Sequence, residues 1–343
     1  MISFLIKPAS SMCNMRCSYC FYCDEAQNRK NASLGFMKKE TAENIIKKAA
    51  RFSREAMFVF QGGEPLLAGV DFFEDFAETA DAYGIKAHYS IQTNGMLIDE
   101  NYLRFFKKRN VLLGISLDGV EQVHNTHRKA PGGNGTFKKV FENIKAVQKE
   151  GIEFNILTVV TPEVCRKIDE IYGFYMSNGF YYQQYIPCID EINSEQSVLN
   201  NDEYADFLKR LFTLYFNDRQ RGVPVSIRYF DNLLMKLNGL PAEQCGMNGS
   251  CNIQLVVEGD GTVYPCDFYC IDGKELGNIN THSVNELLNC KNAGAFLEDN
   301  HFADECKECK FFRICAGGCK RYRAEGVNKF CQAYKEFFEF SLG

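Results

Sequence analysis

The 343-residue sequence has no long hydrophobic run, no charged leader and no basic region. No stretch of about 18 apolar residues occurs, so no segment is long enough to cross a bilayer as a helix. Residues 1–8 lack the charged start of a signal peptide, which predicts a cytoplasmic protein. The net charge is −5, with Lys and Arg interspersed among Asp and Glu. Because this pattern offers no broad positive field, neither nucleic acid nor a membrane is an expected partner.

Cysteine is abundant, with 16 residues in a chain that has no export signal. Cytosolic thiol buffers keep cysteine pairs reduced, so metal ligation explains this number better than disulfides do. The front of the chain holds Cys13, Cys17 and Cys20, and the last hundred residues hold Cys245, Cys251, Cys266, Cys306, Cys309, Cys315, Cys319 and Cys331. The others, which we interpret as ordinary small buried or surface residues, are Cys23, Cys165, Cys188, Cys270 and Cys290.

Strand-like apolar runs alternate with segments of helical periodicity from residue 3 to about residue 188. Strands are predicted at residues 4–7, 57–61, 87–92, 111–116, 154–160 and 181–186, and helices at 38–52, 71–82, 100–108, 136–149 and 162–178. This alternation predicts an α/β fold with a parallel sheet and functional loops at the carboxyl ends of its strands. Six strands are too few for a closed eight-fold barrel, so we expect a partial (β/α)6 barrel.

The rest of the chain is predicted to form a second, cysteine-rich region. A helix is predicted at residues 201–219, followed by a bridge over residues 224–240. A β-hairpin comes next, with strands at 253–257 and 262–264 around a Glu-Gly-Asp-Gly turn. The residues after the hairpin are too few and too polar for a large core of their own, so bound metal clusters would have to cross-link and stabilise this region. We place the two domains at residues 1–235 and 236–343.

The front cysteines form a CxxxCxxC motif, Cys13-Asn-Met-Arg-Cys17-Ser-Tyr-Cys20. Three thiolates this close can hold three irons of a 4Fe–4S cluster and leave the fourth iron open to a small molecule. The spacing, with an aromatic residue before the third cysteine, resembles the signature of radical S-adenosylmethionine (SAM) enzymes. That resemblance implies that SAM occupies the open iron. The alternative is a zinc site, for which Cys23 is a possible fourth ligand.

Residues 61–65, Gln-Gly-Gly-Glu-Pro, follow the second predicted strand. The two glycines let the backbone approach a ligand closely, and Glu64 can accept a hydrogen bond from an amine. Alternatively the segment is a simple turn, and Arg128 is a solvated surface cation. By the resemblance, residues 61–65 contact the methionine amino group and Arg128 pairs with the SAM carboxylate. The cofactor contacts expected on this basis are Tyr22, Gln61, Gly62, Gly63, Glu64, Ser116, Arg128 and Ile189.

The tail cysteines resemble the SPASM domain of radical SAM peptide-modifying enzymes, which holds two auxiliary 4Fe–4S clusters beside a β-hairpin and short helices. This resemblance implies two ligand sets, Cys245, Cys251, Cys266 and Cys319 for one cluster and Cys306, Cys309, Cys315 and Cys331 for the other. With the front cluster this makes three 4Fe–4S clusters and SAM as cofactors. Zinc ribbons are the alternative, because CxxC pairs also bind zinc.

Longer sequence segments, spread along nearly the whole chain, resemble those of anaerobic sulfatase-maturating enzymes. They include Leu-Ile-Lys-Pro-Ala-Ser-Ser from residue 5, Phe-Gln-Gly-Gly-Glu-Pro from residue 60, Cys-Gly-Met-Asn-Gly-Ser-Cys from residue 245 and Tyr-Pro-Cys-Asp-Phe-Tyr from residue 264. The resemblance implies anaerobic oxidation of a serine or cysteine in a sulfatase polypeptide, within a Ser-x-Pro-x-Arg or Cys-x-Pro-x-Arg core, to Cα-formylglycine. It also implies a flavodoxin or ferredoxin as electron donor, and we expect a monomer.

Asp267 is the predicted base. When a 5′-deoxyadenosyl radical removes a hydrogen atom from Cβ of the target residue, the resulting radical must still lose one proton and one electron. The resemblance assigns the proton to Asp267 and the electron to the auxiliary clusters, through the adjacent ligand Cys266. On sequence alone, an aspartate after a proline-cysteine turn is more often a cap or turn former.

Two alternative functions remain at this stage. One is a different radical SAM/SPASM peptide maturase, forming thioethers or epimerising residues; such enzymes often carry an added leader-binding domain, for which the residues before Cys13 leave no room at this end. The other is a non-catalytic iron–sulfur electron carrier, which would need neither the barrel nor Asp267.

Overall fold

The computed structural model of the chain describes residues 1–192, 194, 198–298 and 300–343. The strands are β1 (Ile2–Ile6), β2 (Glu55–Phe60), β3 (Lys86–Thr93), β4 (Leu112–Ser116), β5 (Phe154–Val160), β6 (Tyr182–Pro187), β7 (Ser226–Ile227), β8 (Val256–Val257), β9 (Thr262–Tyr264), β10 (Gly277–Asn278), β11 (Arg323–Ala324) and β12 (Val327–Asn328). The helices are α1 (Phe21–Gln27), α2 (Lys39–Phe52), α3 (Val70–Ala82), α4 (Glu100–Arg109), α5 (Glu121–His127), α6 (Phe137–Lys149), α7 (Pro162–Arg166), α8 (Ile168–Ser177), α9 (Asn201–Gln220), α10 (Arg228–Leu237), α11 (Val284–Leu288), α12 (Lys291–Glu298), α13 (Asp304–Lys307), α14 (Phe312–Cys315) and α15 (Cys331–Leu342). Short 3-10 turns cover Pro65–Ala68, Cys245–Met247, Asp267–Tyr269 and Lys320–Tyr322.

The chain divides into two compact units. Unit 1 comprises residues 1–117, 125–154 and 253–296, and unit 2 comprises residues 118–124, 155–252 and 297–343. In unit 1, strands β1 to β4 pair in parallel in chain order, with Ile6 opposite Phe60. Strand β8 also pairs in parallel with β1, and antiparallel pairings then add β9 and β10. The tail hairpin therefore extends the sheet that begins at the N-terminus.

The core of unit 1 is aromatic. Phe58 and Phe60 of β2 are buried, and Phe60 makes edge-on ring contacts with Phe73 and Phe76 of α3 at centroid distances of 5.1 and 5.2 Å. Such edge-to-face pairs add to the stabilisation from buried area, so α3 is fixed firmly against the sheet. This rigid packing holds the carboxyl ends of the strands, where the candidate site lies.

Unit 2 contains the parallel strands β5, β6 and β7 and a helical layer. Thr161 is the N-cap of α7, and its side chain accepts a hydrogen bond from Val164 N. Helices α9 and α15 pack together through aromatic side chains, such as Phe212 against Phe337 at a centroid distance of 5.7 Å. Tyr204 of α9 also contacts Phe330, just before α15, at 4.7 Å.

Each predicted strand of the alternating region is present, with ends shifted by at most two residues. The predicted helix at 162–178 is instead two helices, because Lys167 has φ −114° and ψ 19°, outside the helical region. The predicted hairpin is confirmed, but its first strand is shorter than expected, since Leu255 has φ 49° and interrupts the extended conformation. Across the described residues, no helix combines the length and apolar character needed to cross a membrane.

Candidate active site

The loop with Cys13, Cys17 and Cys20 lies between β1 and α1 in unit 1. Its backbone is hydrogen-bonded to the end of α5 and the segment that follows, since Ser18 N donates to His127 O at 3.2 Å and Arg16 N donates to Lys129 O at 2.7 Å. The loop leads directly into α1, for which Cys20 is the N-cap, and local backbone hydrogen bonds connect the two. The three sulfurs are therefore presented by one loop that is braced from both sides.

The glycines of residues 61–65 allow the cysteine loop to approach β2. Gly63 N donates to Ser10 O at 2.9 Å, and a Cβ added to Gly63 would lie 2.1 Å from Met12 O. Gly62 has φ +121°, a conformation that side chains rarely adopt. These residues are glycines because the backbone that leads to Cys13 passes directly over them.

Glu64 is fully buried and connects the ends of two strands. Its carboxylate accepts hydrogen bonds from Leu66 N at 3.0 Å, Thr93 Oγ1 at 2.8 Å and Asn94 N at 2.7 Å. Burial raises the pKa of Glu64 to about 7, although these hydrogen bonds act in the opposite direction. The Asn94 side chain also donates to Cys13 Sγ at 3.7 Å. Glu64 thus holds Asn94 against the cysteine loop.

Two of the front thiols differ in acidity. A hydrogen bond with Cys23 is the main reason that the pKa of Cys20 falls to about 6, and burial raises the pKa of Cys13 to about 11. Of these two thiols, Cys20 is therefore the more readily ionised. Within the described part of the chain, no three Cys, His, Asp or Glu side chains converge closely enough to hold a single metal ion.

Arg128 is buried, with only 7% of its surface exposed, so the interpretation as a solvated surface cation is wrong. Its guanidinium carbon lies 5.5 Å from the centroid of the Tyr19 ring, next to Cys20. The positive charge of Arg128 also contributes to the lowered pKa of Cys20. Arg128 is therefore a buried cation beside the cysteine loop, and its pairing with a SAM carboxylate stays a prediction.

Asp267 opens the 3-10 turn that follows Cys266, and it is 8% exposed. Its Oδ2 accepts a hydrogen bond from the Tyr22 hydroxyl at 2.6 Å and another from Gln61 Nε2 at 2.7 Å. Its backbone N–H donates to Gln254 Oε1 at 3.1 Å. Tyr22 and Gln61, predicted as cofactor contacts, are thus brought together on the predicted base.

Lys7 is a site residue that the sequence did not reveal. Its Nζ lies 3.1 Å from Asp267 Oδ1, 3.7 Å from Glu258 Oε1 and 3.2 Å from Cys270 Sγ. The side chain is only 2% exposed. The one signal in the sequence was a lysine at the end of a buried strand, where a charge is costly without a partner.

The second group of tail cysteines lies in unit 2. One cavity there is lined by Cys306, Cys309, Cys315, Cys331, Phe311, Phe312, Tyr334 and Phe338, among others. Burial raises the pKa of Cys315 to about 11, so a cluster would have to supply the positive charge that stabilises its thiolate. The four cysteines fit a cluster with a full protein ligand set, and their assignment as ligands stays a prediction.

The other tail cysteines are only partly grouped by the structure. In unit 2, a Cβ added to Gly246 would lie 3.1 Å from Cys319 N, so the loop that carries Cys245 packs against Cys319. Burial is the main reason that the pKa of Cys319 rises to about 11, and Cys245 and Cys251 lie close enough to add to this rise. Cys266 belongs to unit 1, so its membership of this ligand set stays a prediction.

Two predicted cofactor residues have no described contacts that define a role. Ser116 is the last residue of β4 in unit 1. Ile189 follows β6 in unit 2, where its carbonyl oxygen accepts a weak hydrogen bond from Cys188 Sγ at 3.7 Å. Both remain predicted cofactor contacts.

Comparison with known proteins places this site in a family. Residues 8–174 match the Radical SAM superfamily, and residues 245–310 match the SPASM iron–sulfur cluster-binding domain. The chain is 43% identical to a cysteine-type anaerobic sulfatase-maturating enzyme of Clostridium novyi, over 99% of this chain and 95% of the relative. It is 26% identical to a serine-type enzyme of Bacteroides thetaiotaomicron, over 98% of this chain and 88% of the relative.

A solved structure described as native anSMEcpe with bound AdoMet and Cp18Cys peptide matches with a TM-score of 0.95 and 40% identity, over 99% of this chain and 96% of that chain. The predicted fold class, a radical SAM partial barrel followed by a SPASM domain, is thereby confirmed, as are iron–sulfur clusters and SAM as the cofactors. With the cysteine loop, the glycine segment and the buried aspartate in place, the chain belongs to the anaerobic sulfatase-maturating enzymes of the radical SAM superfamily.

Proposed function

We propose that this enzyme oxidises a cysteine side chain in a sulfatase polypeptide to Cα-formylglycine, with Asp267 as the base. The observation that carries the proposal is the buried Asp267 carboxylate, held by Tyr22 and Gln61 in the unit that also contains the cysteine loop. Cysteine is preferred to serine as the target because identity is 43% to the cysteine-type relative and 26% to the serine-type relative.

The reaction removes two hydrogens from the target residue. When bound, SAM and the clusters supply the acceptor of the Cβ hydrogen atom and the acceptor of one electron. The protein must then take the remaining proton from the target sulfur, which leaves a carbon–sulfur double bond. Water hydrolyses this thioaldehyde, releasing sulfide and leaving the aldehyde of formylglycine. Asp267 is the group that receives the proton.

The hydrogen bonds of Asp267 suggest the proton's path. Oδ1 faces the Lys7 ammonium at 3.1 Å, and Oδ2 already accepts from both Tyr22 and Gln61, so a direct transfer to Oδ2 would displace one donor. The Tyr22 hydroxyl can accept a proton while donating its own, whereas the amide nitrogen of Gln61 only donates. Tyr22 therefore passes the target's proton to Oδ2, and Gln61 keeps the carboxylate oriented.

The cofactor contacts are proposed from the same geometry. Cys13, Cys17 and Cys20 hold the SAM-binding cluster, and the buried guanidinium of Arg128 pairs with the SAM carboxylate. Residues 61–64 present backbone groups to the SAM amino group, with Ser116 and Ile189 as further contacts. In the tail, the auxiliary clusters are held by the two predicted cysteine sets and receive the electron.

The proposal also covers the electron donor, the oligomeric state and the cellular location of the enzyme. A flavodoxin or ferredoxin donates the electron that starts each turnover, and the protein works as a monomer. A reducing cytoplasmic location suits 16 cysteines, all of them free thiols in the structure.

The test uses two short peptides that carry a Cys-x-Pro-x-Arg or a Ser-x-Pro-x-Arg core. Each is incubated anaerobically with reconstituted enzyme, SAM and reductant, and mass spectrometry follows 5′-deoxyadenosine and a hydrazine-reactive aldehyde. We expect aldehyde from the cysteine peptide. Cys13→Ala should abolish SAM cleavage, whereas the control Cys165→Ala, which changes a thiol outside both cysteine groups, should retain it. SAM cleavage with both peptides unchanged would instead favour a maturase of another peptide.

A further inference from the structure

We propose that Lys7 is the positioning residue of the base: its buried ammonium fixes the Asp267 carboxylate in the orientation that accepts the substrate proton. This inference rests on the proposed function of Asp267. Lys7 acts through Asp267. Replacing Lys7 should therefore reduce aldehyde formation while SAM cleavage continues.

Contacts hold the Asp267 carboxylate at both oxygens. Tyr22 and Gln61 donate to Oδ2, while Lys7 Nζ lies 3.1 Å from Oδ1. A carboxylate held at one oxygen alone can rotate about its Cβ–Cγ bond, because that torsion is broad. The ion pair at Oδ1, an oxygen with no hydrogen bond among the described residues, restrains this rotation and keeps Oδ2 directed at the Tyr22 hydroxyl. Lys7 Nζ also lies 4.6 Å from the centroid of the Tyr22 ring, so one ammonium contacts both members of the proton path.

The ammonium itself is fixed by a second carboxylate. Glu258, only 1% exposed, lies 3.7 Å from Lys7 Nζ through Oε1, and the same oxygen lies 2.8 Å from an Arg29 guanidinium nitrogen. Burial alone would raise the pKa of Glu258, but Lys7 and Arg29 hold it below its ordinary value. The charged partners around Lys7 are then one further cation, Arg29, and two anions, Glu258 and Asp267, and the buried Glu25 carboxyl also faces Lys7. Lys7 therefore has two carboxylates, Asp267 and Glu258, within ion-pair distance at the same time.

Cys270 provides a further contact of Lys7, with its Sγ 3.2 Å from Nζ. Sulfur is a weak hydrogen-bond acceptor, so the two carboxylates are the stronger partners of the ammonium.

A purely structural role does not explain a lysine at this position. A buried ion pair stabilises a fold no better, as a rule, than well-packed apolar side chains of similar volume, so stability alone gives no reason for a charge here. Placed against the proposed base, the same charge holds a carboxylate in one orientation within a buried site, which an apolar side chain cannot do.

The experiment compares holoenzymes of the wild type, Lys7→Met and Lys7→Arg. With the cysteine peptide and SAM, it measures aldehyde formed per 5′-deoxyadenosine released, together with kcat and KM for the peptide. For Lys7→Met we expect this ratio to fall ~10-fold or more, with 5′-deoxyadenosine still released and KM little changed, since a general base contributes factors of this size. Lys7→Arg keeps the charge and should restore most of the ratio.

Lys48→Met is the matched control. Lys48 is another partly buried lysine of unit 1, but its Nζ donates to the backbone carbonyls of Ile279 and His282 and makes no described contact with Asp267. Its ratio should equal that of the wild type. Should Lys7→Met not fold, Lys7→Gln takes its place, since it keeps a polar group without the charge, and the same fall is expected.

Three outcomes would overturn the inference: a wild-type ratio in the folded neutral variant, an equal fall in Lys48→Met, or no recovery in Lys7→Arg. Failure of the proposed function looks different. The wild-type enzyme itself would then release 5′-deoxyadenosine without making aldehyde from either peptide.

Discussion

The Tyr22 hydroxyl donates a 2.6 Å hydrogen bond to Asp267 Oδ2 although 245 positions separate the two residues in the chain. Tyr22 lies in the first turn of α1, two residues after Cys20. Asp267 directly follows Cys266, a predicted ligand of an auxiliary cluster. This one contact joins the loop proposed to start the reaction to the group proposed to take the proton.

Tyr22→Phe should slow aldehyde formation by ~10-fold or more while SAM cleavage continues, because the variant loses the hydroxyl that relays the proton. The measurement is aldehyde formed per 5′-deoxyadenosine released. Tyr89→Phe is the control, since the Tyr89 hydroxyl is buried without a hydrogen-bond partner among the described residues. Equal ratios in the two variants would contradict a role for Tyr22 in proton transfer.

Asp267→Asn should permit SAM cleavage and reduce aldehyde formation by a factor on the order of 100 or more, since an amide cannot take the proton. Mass spectrometry of the peptide and of 5′-deoxyadenosine separates the two effects. Asp260→Asn changes an exposed aspartate in the β8–β9 turn and should behave as the wild type. Equal loss of both activities in Asp267→Asn would count against its assignment as the base.

Gly63→Ala should prevent assembly of the SAM-binding cluster, because the new Cβ would lie 2.1 Å from Met12 O and would displace the loop before Cys13. We expect iron content per chain to fall and SAM cleavage to be lost. Gly294→Ala is the matched control, since a Cβ there meets no atom within 4 Å. It should keep its iron and be unchanged or slightly more stable, as alanine favours a helix over glycine by about 1 kcal/mol. Normal iron content in Gly63→Ala would show that the loop can move aside.

Glu25 should make the folded protein less stable as the pH rises. It is 4% exposed, and burial raises its pKa to about 8 from an ordinary value near 4.5. The folded state therefore keeps a proton that the unfolded state releases, so stability falls between these two pH values, by up to about 1.4 kcal/mol per pH unit. The charged groups that face Glu25 are Lys7, Arg29, Asp267 and Glu258.

Glu25→Gln mimics the protonated carboxyl and should remove this dependence. The apparent Tm of the two holoenzymes is compared at about pH 5 and about pH 8, at one scan rate, and the variant should gain stability relative to the wild type at the higher pH. Parallel pH profiles for the two proteins would show that Glu25 is ionised in the folded state.

The order of strands and helices in the barrel region was predictable because apolar periodicity is a local property of the chain. The break at Lys167 was not, since residues on both sides of it have helical periodicity. The cysteine loop and the glycine segment were found as motifs, and the structure adds why Gly63 must be glycine. Lys7 and Glu258 were missed because each is a single charged residue within an apolar strand region, and nothing local indicates its partner.

By itself the sequence determined the chemistry available to this protein: which thiols exist and how they are spaced, where strands end in glycine and polar residues, and which family the strings resemble. These features can be recognised from spacing along the chain, because residues that are close in sequence are also close in space without any tertiary structure. Only the tertiary structure decided that Tyr22, Gln61 and Lys7 meet at Asp267, and that Arg128 is buried beside Cys20. The contacts at Asp267 depend on the pairing of β8 with β1, which brings the tail back to the first strand.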